Sequence, residues 1–133
     1  MSSVVPSPAA HSRCPCLSGV PYDQCCGALH RGAVSASTAE QLMRSRFSAF
    51  AVGDSSYLLE TWHPATRPST LELDLSLRWY RLDIIAVTGG GMLADSGTVE
   101  FRAYYRSPGG PGEQHETSRF ATLHGRWFYV DAA

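Results

Sequence analysis

Cys14-Pro15-Cys16-Leu17-Ser18-Gly19-Val20-Pro21-Tyr22-Asp23-Gln24-Cys25-Cys26 holds all 4 cysteines of a 133-residue chain. In a reducing compartment, thiols gathered this closely point to a metal before a disulfide. The C-x-C pair offers two thiolates from one tight turn. Leu17 to Gln24 is long enough to fold back and present the second pair, and Gly19 and Pro21 suit that turn. Zinc favours a tetrahedron of soft ligands with sulfur at about 2.3 Å. Four thiolates leave no open coordination position, so one structural Zn2+ is expected on Cys14, Cys16, Cys25 and Cys26. His30 and His11 are the alternatives for one of these positions. The metal would supply the folding free energy that residues 13–32 are too few to obtain by burial.

Outward from this stretch, residues 1–12 have no period and read as a flexible tail, and 33–37 as a linker. The main domain is expected over 38–133. Ser37-x-x-Glu40 and Thr38-x-x-Gln41 both fit a capping box, so a helix begins near Thr38. Met43, Phe47 and Phe50 give it one apolar face, and Gly53 stops it. Asp54 caps a second short helix that packs Tyr57, Leu58 and Trp62 inward. Ser69-x-x-Glu72 suggests a third helical segment. Strands are predicted over Arg78–Thr88, Gly97–Arg106, Gln114–Leu123 and Arg126–Asp131. Val99, Phe101, Ala103 and Tyr105 share one face of the second strand. Ser107–Glu113 reads as a Pro/Gly-rich hairpin loop and His124-Gly125 as a tight turn. Helices followed by an antiparallel meander define an α+β domain.

Composition narrows the function. The net charge of −1 argues against nucleic acid, and the knuckle stretch has only Arg13 and Arg31 against Asp23. All 11 basic residues are arginines, which excludes lysine Schiff-base and P-loop chemistry. No apolar run approaches the about 20 residues that span a bilayer. Residues 1–13 lack the features of a secretory signal, so a cytoplasmic protein is expected.

Cys14-Pro15-Cys16-x-Ser18-Gly19-x-x-Tyr22-x-x-Cys25-Cys26-Gly27 resembles the SEC-C zinc knuckle. The resemblance implies zinc on the C-x-C pair, the third cysteine and a final cysteine or histidine, and on this chain it places Cys26 ahead of His30. The knuckle often carries lysines before its last ligand, where this chain has Val20-Pro21-Tyr22-Asp23-Gln24. Three further blocks follow in order. They are Leu42-Met43-Arg44-Ser45-Arg46-Phe47-Ser48-Ala49-Phe50, then Tyr57-Leu58-x-x-Thr61-Trp62-His63-Pro64, then His115-Glu116-x-Ser118-Arg119-Phe120 with Gly125-x-Trp127-Phe128-Tyr129-x-Asp131. With the knuckle they resemble the YchJ family, also called UPF0225, over about residues 13–131. That resemblance implies a SEC-C knuckle at 13–32 followed by an NTF2-like (cystatin-like) cone, a curved antiparallel sheet wrapped on helices.

Such a cone usually encloses a cavity. The polar candidates for its lining are His63, Arg67, Glu100, His115, Glu116, Arg119, Tyr129 and Asp131. His115 and Glu116 are strand neighbours, so they face opposite ways and cannot act as one catalytic pair. Glu116 shares its face with Ser118 and Phe120. Arg44 and Arg46 read as partners of acidic side chains, Trp62, Trp79 and Trp127 as core, His63 as fixing its loop, and Glu100 with Arg119 as a cross-strand pair. The leading expectation is a non-enzymatic adaptor. Its knuckle would meet a protein partner, and its cone would supply a small-molecule pocket or a homodimer surface. The alternative is a small hydrolase- or isomerase-type enzyme, with His115 as acid–base and Arg119 holding an anionic group.

Overall fold

The computed structural model describes residues 12–133; residues 1–11 of the expected tail, His11 among them, lie outside them. After a 3-10 turn at Tyr22–Gln24 come α1 (Cys26–His30), α2 (Ala39–Val52) and α3 (Ser55–Glu60). The sheet follows as β1 (Arg78–Gly89), β2 (Ser96–Ser107), β3 (Gly110–Leu123) and β4 (Arg126–Ala132), an antiparallel meander in sequence order. The helix signals of the sequence act as expected. Thr38 Oγ1 accepts from the Gln41 amide at 3.0 Å, and Asp54 Oδ1 from the Tyr57 amide at 3.0 Å. Gly53 ends α2 in the left-handed conformation at φ 78°.

The sheet bends round α2. Register shifts in β1 between Trp79 and Arg81 and between Ile84 and Ala86, with another at Arg119/Phe120 of β3, supply the curvature. Val99, Phe101, Ala103 and Phe120 of the concave face pack on Leu42, Met43 and Phe47 of α2, with Leu82 and Trp127 closing this core. A second cluster joins Leu29 of α1, Ala49 of α2 and Tyr57 and Leu58 of α3.

Two predicted details differ. The segment at 69–72 is not helical. Leu71, Leu73, Leu75 and Leu77 are each half-buried while Glu72, Asp74 and Ser76 are exposed, which is the period of an extended chain. Leu71 and Leu73 seal the second cluster. Nor is Ser107–Glu113 an open loop: Ser107 already pairs with Gly110 across Pro108-Gly109, and the ladder runs on through Glu113 opposite Tyr104.

The tip of the β1–β2 hairpin closes on the start of α2. The Ala39 amide donates to the Gly90 carbonyl at 3.0 Å, and a Cβ on Gly90 would stand 2.8 Å from the Ala39 Cβ. Gly90 also sits at φ +75°, whereas a Cβ on its neighbour Gly91 would meet nothing within 4 Å. Gly90→Ala is therefore expected to cost about 2 kcal/mol, from left-handed strain and the clash together. Gly91→Ala should stay within about 0.5 kcal/mol of neutral. Urea unfolding of the pair checks this, and equal losses would contradict the packing described.

Candidate metal centre and cavity

The turn Cys14-Pro15-Cys16 is closed by the Leu17 amide on the Cys14 carbonyl at 3.1 Å, with Leu17 at φ 66° and Gly19 at φ 85°. The chain then returns antiparallel, Arg13 opposite Pro21, and the 3-10 turn delivers Cys25 and Cys26 beside the first pair. The four Sγ atoms lie within 4.8 Å of one another, with Cys16 to Cys25 at 3.6 Å and Cys25 to Cys26 at 4.0 Å. A tetrahedron with arms of about 2.3 Å has sulfur–sulfur edges of about 3.8 Å. The donor set therefore fits a metal ion by distance and by softness. The Cys14 thiol is held far below the ordinary thiol range because Cys16 and Cys26 donate to it. Cys16 is pushed up to about 11 and Cys26 further, first by donating to Cys14 and then by burial and its neighbours' charge. Without a metal, this pattern is one thiolate held by two neighbouring thiols.

Supporting contacts come from α2 and from Ser18 of the knuckle, and the α2 contacts are a signal the cysteine spacing does not contain. Ser48 Oγ lies 3.5 Å from Cys14 Sγ, Arg44 donates to the Cys16 carbonyl at 3.1 Å, and Ser18 Oγ sits 3.2 Å from Cys25 Sγ. His30 is elsewhere engaged. Its Nε2 lies 2.8 Å from the Ser45 carbonyl, which can only accept, so Nε2 carries the proton. Its Nδ1 meets the Tyr22 hydroxyl at 2.6 Å. Burial pushes the Tyr22 phenol up to about 12, keeping it a donor.

Across α2 from the sulfurs, a cavity of about 180 Å³ opens between helix and sheet, walled by Phe47, Phe50, Trp62, Trp79, Phe101 and Tyr129. Its polar lining is Arg46, Gln114, Ser118 and one carboxylate, Glu116. Of the eight polar candidates named from sequence, Glu116 and Tyr129 line it. His63 Nδ1 accepts from the Ala65 amide at 3.0 Å and Arg67 donates to the Trp62 carbonyl at 2.9 Å, so both tie down their loop. The others face outward. His115 meets Glu100 at 2.7 Å, and Arg119 grips Asp131 bidentately at 2.6 Å, in place of the expected Glu100–Arg119 pair. The expected pair does not form because Thr98, not Glu100, stands opposite Arg119 in the ladder.

Arg44 does pair with an acid, Glu40 at 3.0 Å. Arg46 does not: it is 4% exposed, and no carboxylate of the described residues forms an ion pair with it. Its Nη1 donates to the Leu58 carbonyl at 2.8 Å and to Thr61 Oγ1 at 2.7 Å. The guanidinium lies 4.6 Å from the Tyr129 ring centroid and 5.4 Å from that of Trp62. Burial pushes it down to about 10. Trp127 is core as expected, but Trp62 and Trp79 are cavity walls.

The architecture is thus a four-cysteine knuckle docked on the helix of an NTF2-like cone. Residues 38–132 match the family model described as "YchJ, middle NTF2-like domain". A UPF0225 protein of Corynebacterium glutamicum is 53% identical over 117 residues, covering 88% of this chain and 93% of that one. One from Streptomyces coelicolor is 50% identical over 118 residues, covering 89% and 92%. The solution structure of a SEC-C motif containing protein from Rhodopseudomonas palustris superposes with a TM-score of 0.78 at 34% identity, over 92% of this chain and 98% of the other. A crystal structure of a SEC-C motif containing protein from Psychrobacter arcticus gives 0.75 at 28% identity, over 92% and 82%. The chain belongs to the YchJ/UPF0225 family.

The placement of His30 has a measurable consequence. His30→Ala should leave bound metal per chain unchanged while costing about 1–3 kcal/mol through the orphaned Tyr22 hydroxyl and Ser45 carbonyl. Cys26→Ala should abolish stoichiometric metal. Atomic-absorption analysis of the two variants, with urea unfolding of the first, checks both; loss of metal in His30→Ala would make the histidine a ligand.

Proposed function

We propose that the protein is a zinc-stabilised, non-enzymatic binding module of the cytoplasm. The observation that carries this reading is the closure of four sulfurs within 4.8 Å, with no place kept for a water or substrate. The zinc has a structural role and fixes the knuckle on α2. Leu17 at 55% and Val20 at 39% exposure put apolar surface on the knuckle, which supports its use against a protein partner. No helix among the described residues is long and apolar enough to cross a membrane.

The enzyme alternative needs an acid–base group in the cavity. The expected pair His115 and Arg119 is engaged outside it by Glu100 and Asp131, no histidine is among its lining residues, and Glu116 is its one carboxylate. On the binding reading the cone serves as a pocket or, through its outer sheet face, as a homodimer surface.

Protein purified without added metal is expected to carry about one zinc per chain. Cys14→Ser or Cys25→Ser should lose it and disorder residues 13–32, read as loss of their amide protection in hydrogen exchange. Metal analysis that finds no zinc, with four titratable thiols in fresh native protein, would overturn the proposal.

A further inference from the structure

The cavity carries more than its shape. Its walls are aromatic, and two of its lining residues, Arg46 and Trp62, carry N–H donors without a protein acceptor among the described residues. A guanidinium has five N–H donors. Arg46 spends those of Nη1 on Leu58 and Thr61, and its Nε and Nη2 make no hydrogen bond among the described residues. That edge is the one that grips a carboxylate side-on through two parallel bonds. Trp62 lines the same cavity, and its Nε1 is buried without an acceptor. A buried unpaired cation and a buried unpaired N–H each cost free energy that an acceptor within the site would recover.

We propose that this cavity binds a small single-ring aromatic carboxylate, its carboxylate on the Nε–Nη2 edge of Arg46 and its ring among Phe50, Trp62, Trp79 and Tyr129. The size agrees. A dry cavity of about 150 Å³ takes benzene, and this one measures about 180 Å³. A flat ring suits walls that already meet edge-on, as Trp62 and Tyr129 do at 5.0 Å and 84°.

A cationic ligand in the same aromatic cage is the competing chemistry, and Glu116 on the lining is its strongest support. Arg46 argues against it, because its charge already lies over the Trp62 and Tyr129 faces and would repel a second cation. Glu116 is only half-buried and makes no ion pair among the described residues, so water solvates it. Its charge is felt at Tyr129, whose phenol it helps to push up after burial. It therefore weakens an anionic ligand modestly without selecting a cation.

This inference rests on the pocket half of the proposed function and deepens it. The test is calorimetric titration of the intact, zinc-loaded protein with benzoate, benzamide and benzylamine. Benzoate is expected to bind one-to-one with Kd below about 1 mM. Benzamide and benzylamine should bind at least about tenfold more weakly, lacking the charge that Arg46 pairs. Arg46→Gln should weaken benzoate by about thirtyfold or more. Since that residue is buried, Trp62→Phe and Glu116→Gln carry the test if Arg46→Gln does not fold. Trp62→Phe keeps a ring and removes the N–H, and should weaken benzoate about fivefold. Glu116→Gln should tighten it about threefold. Benzylamine or benzamide binding as tightly as benzoate would overturn the carboxylate assignment while leaving a pocket. Benzoate binding indifferent to all the substitutions would also overturn it. No binding by any of the three compounds would overturn the pocket as well. Zinc content, measured on the same samples, separates either failure from failure of the metal reading.

Discussion

Every other part of the molecule is placed by the burial of α2 on both sides. From Ala39 to Val52 only Phe50 is exposed. One side presents Met43 and Phe47 to the sheet, and the other presents Ser45, Ser48 and Ala49 to the knuckle and α3. Small residues on the second side let other chain segments come close. They also carry polar atoms that burial would penalise unless paired. Ser45 Oγ reaches the Leu42 carbonyl at 2.8 Å and the Tyr57 hydroxyl at 2.7 Å, and Ser48 reaches a sulfur of the cysteine cluster. A helix with hydroxyls on its back cannot simply be covered by an apolar layer. The knuckle answers those hydroxyls and carbonyls with its own polar groups, chiefly His30 and Cys14.

The two buried charge problems on either side of the helix are solved differently. The four sulfurs form a site that distances and softness both fit to a cation, so a metal ion could answer the charge there. Arg46 places positive charge under aromatic faces and neutral oxygens, which offset only part of its desolvation. Stability alone would favour an apolar residue at that position. The cost is consistent with a binding role, because the unspent donors face an open cavity rather than closed core.

The architecture was legible wherever local chemistry decides it. Thr38, Asp54 and Gly53 act through their immediate neighbours, and the alternation in β2 needs only period two. The cysteine cluster was legible because the ligands are close in sequence as well as in space. Legibility fails where a partner is distant. Arg44 and Arg46 look alike on paper, two residues apart and both on an amphipathic helix. One finds Glu40 a turn away, whereas the other is directed by α3 and β4 into a cavity. Glu100 and Arg119 have opposite charges on adjacent strands, yet the register puts each nearer another partner. The leucine alternation from Leu71 to Leu77 could have identified the extended segment, but the capping pattern at Ser69 competed with it. Propensity lost there to burial against the cluster of Leu29, Ala49, Tyr57 and Leu58.

Knuckle and cavity therefore share a helix but no side chain. Arg44, Ser45 and Ser48 face the sulfur side, while Met43, Arg46, Phe47 and Phe50 line the cavity. These sets interleave along one helix, so the contacts that seat the knuckle on Ser45 and Ser48 are made by the same helix that carries Arg46. The path is short, since Ser45 and Arg46 are consecutive. Tyr57, bonded to Ser45, lies one residue before Leu58, whose carbonyl holds the guanidinium. The knuckle and the Arg46 guanidinium are thereby linked by neighbouring hydrogen-bonded groups of α2 and α3. The knuckle thus packs on the same helix that walls the cavity.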